Sequence, residues 1–164
     1  MGLIYTVAFS QGSVAAVRDL FTIKASTITA IRIHGFTLSQ ETLISDANEK
    51  ELRLTVKRGS GSISVGSGGS TATATPQLRS APALGGSATV VTNNTTQTTV
   101  STGTLTTLEQ YSWNVRAPFI WWYPPELRPV VEANSSNAIY WILALDTAPS
   151  STTINGTLWF ETDQ

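Results

Sequence analysis

The feature that most constrains this chain is hydrophobic alternation with a period of two. Leu52, Leu54 and Val56 interleave with Arg53, Thr55 and Lys57. This puts three aliphatic side chains on one face of a strand and a wet, basic set on the other. Tyr111, Trp113 and Val115 repeat the pattern against Ser112, Asn114 and Arg116, and Leu3, Tyr5, Val7 and Phe9 open the chain with it. Ile31 and Ile33 share one parity, then Phe36 and Leu38 take the other, so the switch at Gly35 predicts a bulge or a close backbone approach. Residues 139–145 (IYWILAL) are almost wholly apolar, as expected of a strand through the middle of a sheet. Ile154, Leu158 and Phe160 make a last strand, with Trp159 on its other face. Only residues 45–51 suggest helix, one or two turns with capping-box spacing from Asp46 to Glu49. Short strands separated by turn residues in 164 residues predict an all-β fold, a sandwich or a barrel, as a single domain over 1–164.

The middle of the chain breaks this rhythm. Residues 59–110 are dominated by Gly, Ser, Thr and Ala, and Arg79 and Glu109 are their only charges. Residues 59–70 (GSGSISVGSGGS) have the composition of a flexible linker, and Val90, Val91 and Val100 flank a candidate hairpin at Asn93–Asn94. Two readings stand: a mobile loop, or an extended arm ordered against another subunit. The second is favoured, because structureless loops beyond roughly 15 residues are uncommon in small domains. Ordering costs about 1–2 kcal/mol per residue in backbone entropy, which a surface must offset.

Composition removes much chemistry. There is no cysteine, so thiol catalysis, disulfides, iron–sulfur clusters and cysteine zinc sites are out. His34 is the only histidine and lies on the strand face opposite Ile31 and Ile33, where a satisfied structural role is the default. No nucleophile elbow, P-loop or dinucleotide fingerprint occurs. The carboxylates are scattered, with no favoured pair for glycoside hydrolysis, and Asp46, Asn48 and Glu49 lack the spacing of a calcium loop. The expectation is a protein that is not an enzyme, with no metal and no cofactor. A net charge of -1 argues against nucleic acid as partner. No run approaches the roughly 18 apolar residues of a membrane span. Asn93, Asn94, Asn134 and Asn155 fit the glycosylation pattern, and Gly2 with Thr6 fits the weak myristoylation pattern; both read as by-products of composition.

The aromatics carry the strongest local signal. Ten of them, with all five tryptophans, fall between Tyr111 and Phe160, and none between Thr37 and Gln110. In residues 116–126 (RAPFIWWYPPE), Trp121 and Tyr123 share one strand face and Trp122 takes the other, while Pro124 and Pro125 end the strand or hold it at a sheet edge. One face fills a core; the other needs a cover. The block reads as core plus rigid turn, as a subunit interface, or as a platform of Trp121, Trp122 and Tyr123 for a glycan. Trp121, Trp122, Tyr123, Pro124, Pro125, Arg79 and Arg116 are the candidate interface residues. Arg53, Lys57, Arg58, Arg79, Arg116 and Arg128 suit ion pairs with an acidic partner protein.

Taken together, residues 4–9 (IYTVAF), 51–59 (ELRLTVKRG) with the Gly/Ser stretch behind them, 93–96 (NNTT), the block from 113–116 (WNVR) to 121–124 (WWYP), and 155–161 (NGTLWFE) resemble small all-β accessory or decoration proteins of tailed bacteriophage virions. The resemblance covers nearly the whole chain, and the aromatic-to-proline block is its most specific part. It implies a virion location and a capsid-decorating or shell-stabilising role without catalytic residues. It also implies an antiparallel β-sandwich, jelly-roll-like, assembled as a homo-oligomer, a trimer favoured, against a major capsid or other virion protein.

Overall fold

The computed structural model describes residues 2–41, 51–85, 88–134 and 138–162. Among them the strands are β1 (Leu3–Val14), β2 (Arg18–Lys24), β3 (Ile31–Gln40), β4 (Glu51–Ser60), β5 (Ile63–Ser64), β6 (Ser70–Thr71) and β7 (Thr75–Pro76). They continue as β8 (Thr89–Thr92), β9 (Thr99–Val100), β10 (Thr104–Asn114), β11 (Phe119–Trp122), β12 (Val130–Val131), β13 (Ile139–Leu145) and β14 (Thr152–Thr162). The turn expected around Asp46 to Glu49 lies outside the described residues.

Eight strands form the frame. One sheet runs β1-β14-β3-β11 and the other β2-β13-β4-β10. β1 pairs with β14, β2 with β13, β3 with β11 and β4 with β10, all antiparallel. The chain thus pairs its first strand with its last and works inward while alternating between two packed sheets. This is the jelly roll.

The alternation seen in sequence places the core. Tyr5, Val7 and Phe9 on β1, Phe36 and Leu38 on β3, and Leu158 and Phe160 on β14 face Leu52, Leu54, Val56, Trp141, Leu143 and Leu145 across the gap, all buried in one cluster. Phe9 meets Phe21 edge-on at 5.0 Å and Phe36 meets Trp141 at 6.1 Å, so aromatic contacts tie the two sheets together. Burying each large side chain is worth about 1.5–3 kcal/mol. Residues 139–145 do run centrally, between β4 and β2.

Between β4 and β10, the described residues, 61–85 and 88–103, lie against the chain's own sandwich. β7 pairs with β1, β8 with β2 and β6 with β8, so the insertion adds one strand to the first sheet and two to the second along the same side of the sandwich. Ala74 and Val90 enter the core there. The chain then crosses the outer face of the second sheet. Thr98 donates to the Asp19 carboxylate through its backbone N–H at 2.8 Å and its hydroxyl at 2.6 Å, and Gln97 Nε2 donates to Leu145 O at 3.1 Å. The total accessible surface is 8198 Å²; a compact monomer of 17.5 kDa has about 7,900 Å². Nothing protrudes. The described part of this segment finds an ordering surface within the same chain, through β7 on β1, β8 on β2 and Thr98 on Asp19.

This changes two local expectations. The face of β4 carrying Thr55 and Lys57 is not wet. Thr55 is buried, and both residues hold Asp146, Thr55 through its hydroxyl and Lys57 through Nζ at 2.9 Å. Nor do Val90, Val91 and Val100 flank a hairpin: β8 pairs with β2 and β6, whereas β9 pairs with β5. After Asn93, at φ 60°, buried Asn94 points onto the sheet toward Thr22, which carries the strand path away from a hairpin return. The linker-like glycines serve close approach here: a Cβ on Gly66 would meet Thr96 O at 2.3 Å and one on Gly69 would meet Thr92 O at 2.4 Å.

Candidate functional site

The aromatic block lies at the free margin of the first sheet. β10 and β11 join through a turn in which Trp113 Nε1 donates to Ala117 O at 2.8 Å, fixing how the chain leaves one sheet for the other. β11 pairs with β3 in the register Phe119–Leu38, Ile120–Thr37, Trp121–Phe36 and Trp122–Gly35. Strand geometry then divides the side chains. Phe119 and Trp121 turn into the sandwich, where Tyr111 lies 5.4 Å and 4.9 Å from their rings. Ile120 and Trp122 turn outward and are exposed. Pro124 stops the strand, and one 3₁₀ turn (Pro125–Leu127) leads to β12, which pairs with the same strand β3 at Arg32 and Ile31.

Inside this margin Glu109 accepts hydrogen bonds from the hydroxyls of Tyr111 at 2.5 Å and Tyr123 at 2.6 Å. Burial, then the neighbouring Glu109 carboxylate, pushes both phenols above the usual tyrosine range. Glu109 faces inward because β10 bulges between Thr107 and Glu109, leaving Leu108 exposed. An inward charge and a bulge are devices that keep an edge strand from pairing with another chain. The trio closes the sandwich edge; the rings leave its carboxylate engaged.

On the outside, Trp122 is 51% exposed. Its ring lies over Gly35, where a Cβ would meet Trp122 Cε3 at 2.8 Å and Trp121 O at 2.4 Å. Beyond Gly35, on β14, Trp159 meets Trp122 with centroids 4.8 Å apart and planes inclined by 38°. Both predictions for Gly35 hold: the ladder shifts between Trp159 and Phe160, and an indole comes down onto the backbone. The next row of the same face holds Arg32 on β3 and Glu161 on β14, paired in register. Glu161 lies 3.5 Å from Arg32 Nη1 and 3.1 Å from His34 Nε2. The His34 contact is in ion-pair range without the alignment of a hydrogen bond. Thr6, Thr37, Thr157 and Asn155 continue the face, none of them fully buried.

The sequence-predicted residues therefore separate. Trp121 and Tyr123 point inward, half-buried and buried; Trp122 points outward; Pro124, Pro125 and Arg116 are exposed around the same margin. Trp121, Trp122 and Tyr123 do not make one platform. Arg79 lies elsewhere, exposed beyond β7, with β1, β14 and β3 between it and β11. Sequence reasoning did not join Trp159 to Trp122, or Glu161 to Arg32 and His34, because each pair meets only through the ladder. Among the described residues, no group of three or more His, Asp or Glu is placed to hold a metal ion, and no helix is long and apolar enough to cross a membrane. Compared with protein-family models, curated proteins and solved structures, the chain finds no match.

Proposed function

We propose that this chain is a non-enzymatic structural subunit of a virion, one that decorates or stabilises a phage shell by bridging its subunits as a homo-oligomer, a trimer favoured. The observation that carries the reading is the exposed apolar margin of the first sheet. Ile120, Leu127 and Val130 are all exposed there, Leu127 by 68%, with Pro124 and Pro125 between them and Trp122 at their border. Large apolar groups gathered on a rigid edge mark contact sites. In a closed symmetric assembly each copy presents the same margin. The jelly roll adds support by analogy, since capsid domains use it, as do lectins. The choice of a phage shell as partner comes from the motif resemblance in the sequence. The mechanism is mechanical: each contact that binds only the closed shell lowers the population of open ones.

The test is native mass by size-exclusion chromatography with light scattering at two concentrations tenfold apart, followed by co-sedimentation with assembled shells. The expected result is a constant mass near three times 17.5 kDa and saturable shell binding. Leu127→Asp is expected to lower the mass. A monomer at both concentrations that ignores shells overturns the reading.

A further inference from the structure

We infer that the outer face of the β1-β14-β3-β11 sheet carries a binding site for a neutral pyranose glycan, built on Trp122 and Trp159 with Arg32 and Glu161 beside them. This goes beyond the proposed shell contact and uses the outward face of the sheet; Trp122 borders both surfaces, so the test reads ligand binding and native mass separately.

Three observations carry it. First, the two indoles form an open corner. One face of Trp122 rests on the Gly35 backbone, half of the residue remains exposed, and Trp159 leans on it at 38°. The apolar C–H face of a pyranose ring lies on such a surface, covering aromatic area without asking the ring for hydrogen bonds. Second, the polar groups next to the corner are ones that hold vicinal hydroxyls. Glu161 offers two carboxylate oxygens and Arg32 a planar fork of donors. Glu161 is braced by His34 on one side and Arg32 on the other, with only 16% of its side chain exposed. A braced carboxylate keeps its geometry and loses little side-chain entropy on binding. Third, the face around the corner bears hydroxyl and amide groups: Thr6 sits opposite Trp159 on β1, and Thr37 and Thr157 pair one row away. A ligand rich in hydroxyls matches these groups. A protein partner needing a dry core would strand them.

Arg32 and Glu161 pair with each other, so this pair adds no net charge to the corner, and neutral oligosaccharides are the matching probes. Because the site sits on regular strands, its parts are fixed by the ladder rather than by a loop.

The test uses the native protein in whatever assembly it forms. Tryptophan emission is titrated with neutral gluco-, manno-, galacto- and N-acetylglucosamine oligosaccharides to millimolar concentrations. At least one series is expected to give a saturable change. Trp159→Ala should abolish it. Glu161→Gln, which keeps both indoles, should weaken binding about tenfold, the scale of one lost charged hydrogen bond. Near-ultraviolet circular dichroism of each variant checks the core. No response to any series overturns the inference, as does a response unchanged in both variants. So does iodide quenching that shows Trp122 hidden in the native oligomer, because the indole pair then belongs to a contact with another copy. Native mass is a separate readout, so failure here does not count against assembly.

Discussion

The carboxylate of Asp19 offers the sharpest test of how the insertion is held. Asp19 is 1% exposed on the outer face of β2 and accepts from the backbone N–H and the hydroxyl of Thr98 at 2.8 and 2.6 Å. Its own N–H donates to Thr96 O at 3.3 Å. In Asp19→Ala both Thr98 donors lose their acceptor in a buried site. Hydrogen bonds to an ionised group are worth about 1.5–3 kcal/mol each, and the orphaned N–H adds a penalty of similar size. Removing a desolvated charge offsets part of this, the same desolvation that pushes the Asp19 carboxyl above its usual range. The expected net loss is about 2–4 kcal/mol by urea unfolding, or roughly 6–12 °C in melting temperature. Asp19→Asn keeps an acceptor for Thr98 and drops the charge, so it should stay within about 1 kcal/mol of the parent at neutral pH. The two variants also differ in pH dependence. A carboxyl whose folded pKa is raised binds more protons in the native state, so its contribution is fullest below the unfolded value of about 3.9 and falls as pH rises toward the folded value. Asp19→Asn lacks that fall and should gain on the parent as pH rises from about 4 toward neutrality. Hydrogen exchange locates the effect: in Asp19→Ala the Thr98 amide should lose protection before the amides of β13 do. If Asp19→Ala unfolds within about 0.5 kcal/mol of the parent with Thr98 protection intact, the latch reasoning is refuted.

Two further outcomes rest on other contacts. Gly35→Ala places a methyl 2.4 Å from Trp121 O and 2.8 Å from the Trp122 ring. Backbone cannot yield cheaply there, so the variant should lose about 1–3 kcal/mol and shift Trp122 emission, and an unchanged spectrum with unchanged stability speaks against the close approach. Tyr111 and Tyr123, their phenols raised by burial and then by Glu109, should stay protonated through the ordinary phenol range in ultraviolet titration, with Glu109→Gln bringing both down. Because the native state then holds more protons, stability should decline as pH climbs past about 10, and parallel curves for parent and variant contradict that assignment.

The fold was largely legible, for a local reason. Strands such as Leu52–Val56 and Tyr111–Val115 announce themselves because the pleat sends successive side chains to opposite faces. Gly35 was legible too, since a parity switch at a glycine has few other causes. The packing of the insertion was not legible, because Gly, Ser and Thr look alike whether they are solvated or close-packed. Gly66 and Gly69 take the linker's composition and use it for backbone contact, and Asp19, which nothing in its neighbours marks as special, supplies the anchor. At the candidate site the sequence separated Trp122 from Trp121 and Tyr123 correctly. It could not pair Trp122 with Trp159, since that depends on β3 lying between β11 and β14 in one register.

The sequence by itself determined the sandwich: which side chains point inward, which strand runs centrally, and where prolines end an edge. These follow from backbone sterics and pleat geometry, acting over a few residues. Tertiary structure alone decided that Thr96, Gln97 and Thr98 cover their own sheet and that Glu161 meets Arg32 and His34. It also decided that two tryptophans from distant strands share one open face. Such contacts are set by strand order and ladder register, which arise only when the hydrophobic faces close on one another and the whole chain takes a single arrangement.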